Sequence, residues 1–268
     1  MQNIYLHPLL ILLSLISCTT APRDLPEDFS IEISHETIGD VEIYDLKQYG
    51  IIVARIPGIT KYLYATSDDQ SAAKVALDSN YTLVVNGSYF DYASRRPGSS
   101  PDAYFIHAGY LKIDDSIYTP LQEDSQLTGL LVFNSLSGAC AILDTAEMEA
   151  AKNYDLVVQT GPPIIRDGQI DRKAINVSVN GKIPNYRTAL ATGDNQDIYL
   201  IITHSGRANA KYRLDDLGSI LLQSGLFNDS LDVINLDGGS STSLFVKDHP
   251  ELCFHSGREI LPLFICVD

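Results

Sequence analysis

Apolar positions along most of the chain come in short runs separated by turn residues, a pattern of strands rather than helices. Val41–Leu46, Ile51–Ile56, Tyr81–Asn86, Leu130–Phe133, Ala139–Leu143 and Asp155–Thr160 are runs of this kind. Arg187–Thr192, Ile198–Thr203, Asp232–Leu236 and Ser243–Val246 extend the series. Val, Ile, Thr and Tyr fill them, and such side chains pack well on a pleated surface. Gly193-Asp194 and Asp167-Gly168 predict hairpin turns, because both residue types tolerate positive φ. Three segments break the pattern. Ser71–Leu77 places Ala72, Ala73, Val75 and Ala76 at helical positions, and Thr145–Lys152 opens on a capping-type Thr145. Leu214–Gln223 spaces Leu214, Leu217 and Leu221 along one helical face and stops at Gly225. Many strands, few helices and no regular β-α alternation predict an α+β fold. We expect a single domain of mixed, largely antiparallel β-sheet with a few packed helices.

The N-terminal segment differs from the rest. Leu9–Ile16 is an apolar run of eight residues followed by Ser17 and Cys18. A bilayer-spanning helix needs about 20 such residues, so the run suits a signal-peptide core instead. Leu15-Ile16-Ser17-Cys18 resembles a bacterial lipobox, in which the cysteine is acylated and becomes the mature N-terminus. An ordinary secretion signal cut nearby is the alternative, and Met1–His7 contains no Lys or Arg to strengthen either reading. The expected organisation is a signal peptide over residues 1–18 with lipidation at Cys18, a tether over 19–28, and one domain over 29–268. The chain is therefore expected to be exported and lipid-anchored to a bacterial membrane, facing the periplasm or the cell surface. Thr19 in place of Asp after the cysteine favours the outer membrane in a Gram-negative organism.

Composition narrows the partners. With 34 Asp and Glu against 19 Lys and Arg, the formal charge is −15. Nucleic-acid binders neutralise phosphates with clustered cations, so this balance argues against that class. A few local arginines still suffice to hold a small anion. Beyond Cys18 the cysteines are Cys140, Cys253 and Cys266. An exported compartment permits disulfides. Cys253 and Cys266 flank the turn-like Ser256-Gly257-Arg258, so either a bridge across a terminal hairpin or free thiols fit the spacing. No Cys/His spacing has the form of a structural zinc site.

Four segments carry candidate chemistry. Asn86-Gly87-Ser88-Tyr89-Phe90-Asp91 follows an apolar strand and sets side chains at a sheet edge, although taken alone it reads better as a plain turn with buried aromatics. In Gln159–Gly168, Gly161 allows close backbone approach and Pro162-Pro163 stiffens the loop. Tyr186-Arg187-Thr188 leads one strand and His204-Ser205-Gly206-Arg207 closes the next. Pairing across Gly193-Asp194 would bring Arg187 and Arg207 to one end as a fork for a phosphodiester oxygen. Surface arginines paired with Asp are the bland alternative. The most specific segment is Asn235-Leu236-Asp237-Gly238-Gly239-Ser240-Ser241-Thr242-Ser243, after the apolar Val233-Ile234. A carboxylate, two glycines able to aim N–H groups at an anion, and three hydroxyls exceed what a turn requires. Ser240 as a nucleophile would need a histidine base and an orienting acid, and no nucleophile-elbow pattern accompanies the histidines.

In this order and spacing, NGSYFD, TGPPIIRDG, RT at 187–188, GR at 206–207 and NLDGGSS resemble the phosphodiester glycosidase family over about Leu83 to Val246. Two departures are visible: Ser205 stands where the family usually shows an acidic residue, and Tyr186 replaces a Pro. The resemblance implies hydrolysis of a sugar-1-phosphodiester at its glycosidic bond, giving free sugar and a phosphomonoester. It implies Asp237 as the first catalytic carboxylate and Asp91 as a second. Asn86, Thr160, Gly161, Arg187, Arg207, Gly238, Gly239, Ser240 and Ser241 would bind substrate, a sugar phosphate or glycan phosphodiester. No cofactor is required; a divalent metal is compatible with the many Asp residues, but their spacing requires none. A phosphodiesterase cutting P–O, and a non-catalytic carbohydrate-binding surface lipoprotein, are the rival readings.

Overall fold

The computed structural model describes residues 31–58, 63–66, 70–92, 105–193, 196–204, 210–227, 230–258 and 260–268. The expected signal peptide with Cys18, the tether, Asp194 and the Ser205-Gly206-Arg207 segment lie outside the described residues.

Every described strand pairing is antiparallel. An 8-stranded sheet forms the middle layer. Its order is β1 (Ser34–Ile38), β2 (Val41–Leu46), β3 (Ile51–Ile56), β16 (Ile198–Thr203), β15 (Thr188–Thr192), β17 (Asp232–Asn235), β13 (Pro163–Arg166) and β14 (Gln169–Ile170). A 5-stranded sheet follows the order β11 (Cys140–Asp144), β10 (Gly129–Phe133), β12 (Leu156–Thr160), β8 (Leu111–Ile113) and β9 (Ser116–Thr119). A second 5-stranded sheet runs β19 (Phe254–His255), β18 (Ser243–Val246), β5 (Leu83–Asn86), β20 (Phe264–Val267) and β4 (Leu63–Thr66). β6 (Phe90–Tyr92) and β7 (Phe105–His107) make a separate pair.

The long apolar runs of the middle sheet have a simple cause: both faces are covered. On β3, Ile52, Ala54 and Ile56 enter the core shared with the two smaller sheets, while Ile51 and Val53 enter the core on the other face. β16 repeats this, with Ile198, Leu200 and Ile202 on one side and Tyr199 and Ile201 on the other. Side chains alternate across a strand, so an element buried on both faces loses its polar alternation.

The helices cover the outer faces. α1 (Ala72–Ser79) buries Ala72, Val75 and Ala76 on β5 and β18; the Ser71 hydroxyl accepts from Lys74 N at 3.2 Å and Asn80 ends it at φ 61. α2 (Met148–Ala151) is preceded by a 3-10 turn over Thr145–Glu147. Asp144, not Thr145, caps that turn, with Glu147 accepting from Asp144 N at 2.8 Å. α4 (Leu214–Gln223) buries Leu214, Leu217, Ile220 and Leu221 against the outer face of the middle sheet, beside α3 (Arg172–Val177).

The terminal hairpin expected around Ser256-Gly257-Arg258 does not form. β19 pairs with β18, while β20 inserts between β5 and β4, so β18 and β5 separate the two halves. Cys140, Cys253 and Cys266 are free thiols, and no Cys253–Cys266 bridge exists.

Candidate functional site

The described parts of the four motif segments meet because the strands preceding or following them end at one place. β5 ends at Asn86, β12 at Thr160 and β17 at Asn235, while β15 begins at Thr188. Their loops are cross-linked by buried side chains. Asn86 donates Nδ2–H to Asp237 O at 2.7 Å, and its Oδ1 accepts from the Thr188 hydroxyl at 2.7 Å and Ser243 N at 3.0 Å. The Thr160 hydroxyl and Gly161 N both donate to Asn235 O, at 2.9 and 3.0 Å. Asn235 Nδ2 donates to the Tyr89 hydroxyl at 2.6 Å, and that hydroxyl donates to Gly161 O at 3.0 Å. Backbone bonds complete the lock: Asp237 N to Gly87 O, Leu236 N to Thr188 O and Gly239 N to Tyr186 O.

The glycines of this segment are demanded by crowding. A Cβ on Gly238 would lie 2.5 Å from Tyr186 O, and Gly239 sits at φ +62 with Asn185 Nδ2 2.8 Å from its would-be Cβ. Only Gly combines that approach with a left-handed backbone at low cost. The two amides do not face an anion as the sequence led us to expect. Gly238 N donates to Asp237 Oδ1 at 2.9 Å and Gly239 N to Tyr186 O at 2.8 Å.

Asp237 is the carboxylate at the centre. It stays partly open to solvent while protein encloses the rest, and this enclosure raises its pKa from an ordinary 3.8 to about 6. Desolvation dominates; the neighbouring Ser241 hydroxyl, the Gly238 N–H and the field of Arg258 act in the opposite direction.

Two guanidiniums belong to the same region. Arg187 is only 2% exposed and lacks an ion-pair partner among the described residues. Its Nε donates to Tyr212 O at 2.9 Å and its Nη2 to Asn180 O and Ile183 O, at 2.8 and 2.5 Å. Arg187 thus holds backbone, and the expected phosphate fork is reduced to its Nη1; Arg207, the other prong, lies outside the described residues. Arg258 was not anticipated from the sequence. Its guanidinium lies 5.2 Å from the Phe90 ring centroid and 5.3 Å from that of Phe105. Its backbone N donates to Ser240 O at 2.8 Å, which fastens it to the Asp237 loop. A lone arginine in a short polar turn carries no periodicity or spacing that marks it beforehand.

Two cavities are lined by residues bonded to the Asp237 loop, Tyr89 in one and Arg258 in the other, and Asp237 lines neither. A pocket of about 220 Å³ is walled by Tyr89, Phe90, Asp91, Gln122, Asp124 and Asn180 among others. A groove of about 650 Å³ runs past Arg258, Phe254, Phe245 and the first turn of α1. Of the residues singled out in the sequence, Asp91 therefore lies in the smaller pocket and Ser240 is exposed at the Asp237 loop. Asn86, Thr160 and Ser241 are buried, with Asn86 and Thr160 hydrogen-bonded within the protein. Gly161 is held by its own amide and carbonyl. Among the described residues no group of three His, Cys, Asp or Glu side chains is arranged to hold a metal ion.

Comparison with known proteins fits this arrangement. A protein of unassigned function from Synechocystis has the same fold, with a TM-score of 0.59 at 13% identity over 88% of this chain and 61% of that one. This chain therefore spans less than two thirds of that protein. The catalytic domain of zebrafish N-acetylglucosamine-1-phosphodiester alpha-N-acetylglucosaminidase, auto-inhibited by its pro-peptide, gives a TM-score of 0.56 at 12% identity over 90% of this chain and 85% of that one. No curated protein matches the chain in sequence. The family model for phosphodiester glycosidases matches residues 79–260, which span all four motif segments, and the chain belongs to that family.

Proposed function

We propose that the protein hydrolyses the glycosidic bond of a sugar-1-phosphodiester, releasing free sugar and a phosphomonoester. The observation that carries this reading is a half-buried carboxylate, Asp237, within the field of Arg258, a guanidinium that has no carboxylate partner among the described residues. An enclosed cation without a counter-ion favours an anionic ligand, since burying unpaired charge is costly.

The chemistry follows from the leaving group. The bond from C1 to the phosphoester oxygen breaks, and both electrons stay with that oxygen. The departing phosphomonoester is already a stable anion, so protonating it matters less than in an ordinary glycoside. Positive charge grows on C1 and the ring oxygen, where the Asp237 carboxylate stabilises it. A water oxygen then bonds to C1 and gives up a proton to a carboxylate. Asp91, in the pocket beside Tyr89, is the second carboxylate we assign to the reaction. Ser240, at the exposed face of the loop, contributes a hydroxyl to the substrate. Asn86, Thr160, Gly161, Gly238 and Gly239 act by fixing the loops; this replaces the direct substrate contacts expected of them. No cofactor enters this scheme.

We also read Cys18 as the lipid attachment point of an exported chain. Replacing it in Cys18→Ser should move the protein from the membrane fraction to the soluble fraction, and unchanged membrane association would refute the anchor.

The test is product analysis with the purified protein beside Asp237→Asn, against a panel of sugar-1-phosphodiesters. Free sugar from the wild type, reduced about 100- to 1,000-fold in the variant, is the expected result, in line with the loss of a key electrostatic group. Sugar phosphate in place of free sugar would transfer the chain to P–O cleavage. Ligand binding with no turnover would make it a carbohydrate-binding lipoprotein.

A further inference from the structure

Two cavities border residues bonded to the Asp237 loop, one through Tyr89 and the other through Arg258, and they differ in chemistry. The smaller pocket presents the carboxyls of Asp91 and Asp124 and the amides of Gln122, Gln126 and Asn180. It offers hydrogen bonds to sugar hydroxyls but repels phosphate. The larger groove holds a cation, Arg258, and apolar walls made by Ala73, Phe245 and Phe254.

We propose that the groove of about 650 Å³ is the acceptor subsite, with Arg258 holding the phosphate and the groove taking an esterified alcohol that presents a flat apolar face. This assignment rests on the glycosidase reading above.

Three observations support it. Arg258 has no ion-pair partner among the described residues, and its Nε is buried with no hydrogen-bond partner. The Phe90 and Phe105 rings hold the guanidinium by cation–π contact, an interaction that positions a cation without neutralising it. Backbone bonds from Ser256 N to Thr242 O, at 2.9 Å, and from Arg258 N to Ser240 O tie this turn to the Asp237 loop. A phosphate on Arg258 would therefore sit beside the carboxylate that faces C1. The groove adds Ser243, 3% exposed, whose hydroxyl has no partner among the described residues. Its volume falls in the range of sites that enclose ligands of several rings, and aromatic walls with a few polar groups are usual there.

The binding test uses two phosphomonoesters, phenyl phosphate and methyl phosphate, titrated calorimetrically into the full chain. Phenyl phosphate should bind the wild type at least tenfold more tightly than methyl phosphate. Arg258→Gln should weaken both at least tenfold, and Arg258→Lys should restore part of the loss. Ala73→Trp, which fills the groove, should weaken phenyl phosphate at least fivefold more than methyl phosphate. Equal affinity for the two esters in the wild type, or unchanged binding in a folded Arg258→Gln, would overturn the assignment. If Arg258→Gln does not fold, Arg258→Lys and Ala73→Trp decide it by the same comparison. Ester binding as expected, in a protein that releases no sugar from any phosphodiester, would remove the glycosidase reading and leave the subsite standing. Sugar release combined with Arg258-independent ester binding would remove the subsite alone.

Discussion

At the scale of the residue, the carboxyl of Asp237 is held where ionisation costs stability. Its folded pKa of about 6 lies above the ordinary 3.8, so between those values the folded chain binds more protons than the unfolded one. Stability contributed by the neutral form is therefore full below about pH 4 and is lost as pH rises through 6. Two pK units correspond to on the order of 2–3 kcal/mol. Asp237→Asn, which cannot ionise, should keep or raise the melting temperature at pH 7 while activity is lost; a large fall in melting temperature would contradict this. If the ionised form is the working one, kcat/KM should rise with pH through about 6, and a flat profile from pH 5 to 7 would argue against that role. Gly238→Ala presents the opposite case. Its Cβ would press on the Tyr186 carbonyl, so a loss of about 2–4 kcal/mol by urea unfolding is expected, from strain at a crowded backbone position.

At the scale of the element, sheet-end loops are joined by side chains that bond to backbone more than to one another. Asn86 bridges three loops, and removing it leaves Ser243 N and Asp237 O without a partner in a buried setting. Asn86→Ala should cost about 3 kcal/mol in urea unfolding. The double variant Asn86→Ala/Thr188→Val should cost less than the two single variants together, because both break the same bond; strict additivity would show that the bond is not a coupling. Several elements were legible in the sequence where burial left a mark, although the fully buried β20 was not among those expected. Val41–Leu46, Ile51–Ile56, Ile198–Thr203 and Leu214–Gln223 have the bounds that their apolar patterns predict. β1, β9 and β14 escaped because they are short and partly exposed, and α3 because its six residues bury only Ile175. Of the site, the motif order marked the loops and Asp237. It could not show that Asn86, Thr160 and the glycine amides face the protein, nor that Arg258 lies beside them. Those facts depend on partners distant in sequence.

At the scale of the whole molecule, stability comes from layers rather than covalent staples. The described cysteines are unpaired, and burial pushes the thiols of Cys140 and Cys266 up to about 12. A reducing agent should leave the melting temperature unchanged, and a thiol reagent should label the buried Cys266 only after denaturation; its rapid labelling in the folded protein would contradict this placement. The layers touch closely where Gly129 of β10 meets Ile234 of β17, leaving 2.4 Å to a would-be Cβ. Gly129→Val should therefore lower the melting temperature by pushing two sheets apart.

The place of β20 bears on how the protein is made. It inserts between β5 and β4, so the sheet whose interior strand β5 carries Asn86 is unfinished until residues 264–267 arrive. A chain still emerging from the ribosome lacks that strand until residues 264–267 are made, so β5 has no partner on that side before then. A copy cut short before Phe264 would also lack a central strand, so premature termination would leave an inert, protease-sensitive product rather than a slightly weakened enzyme.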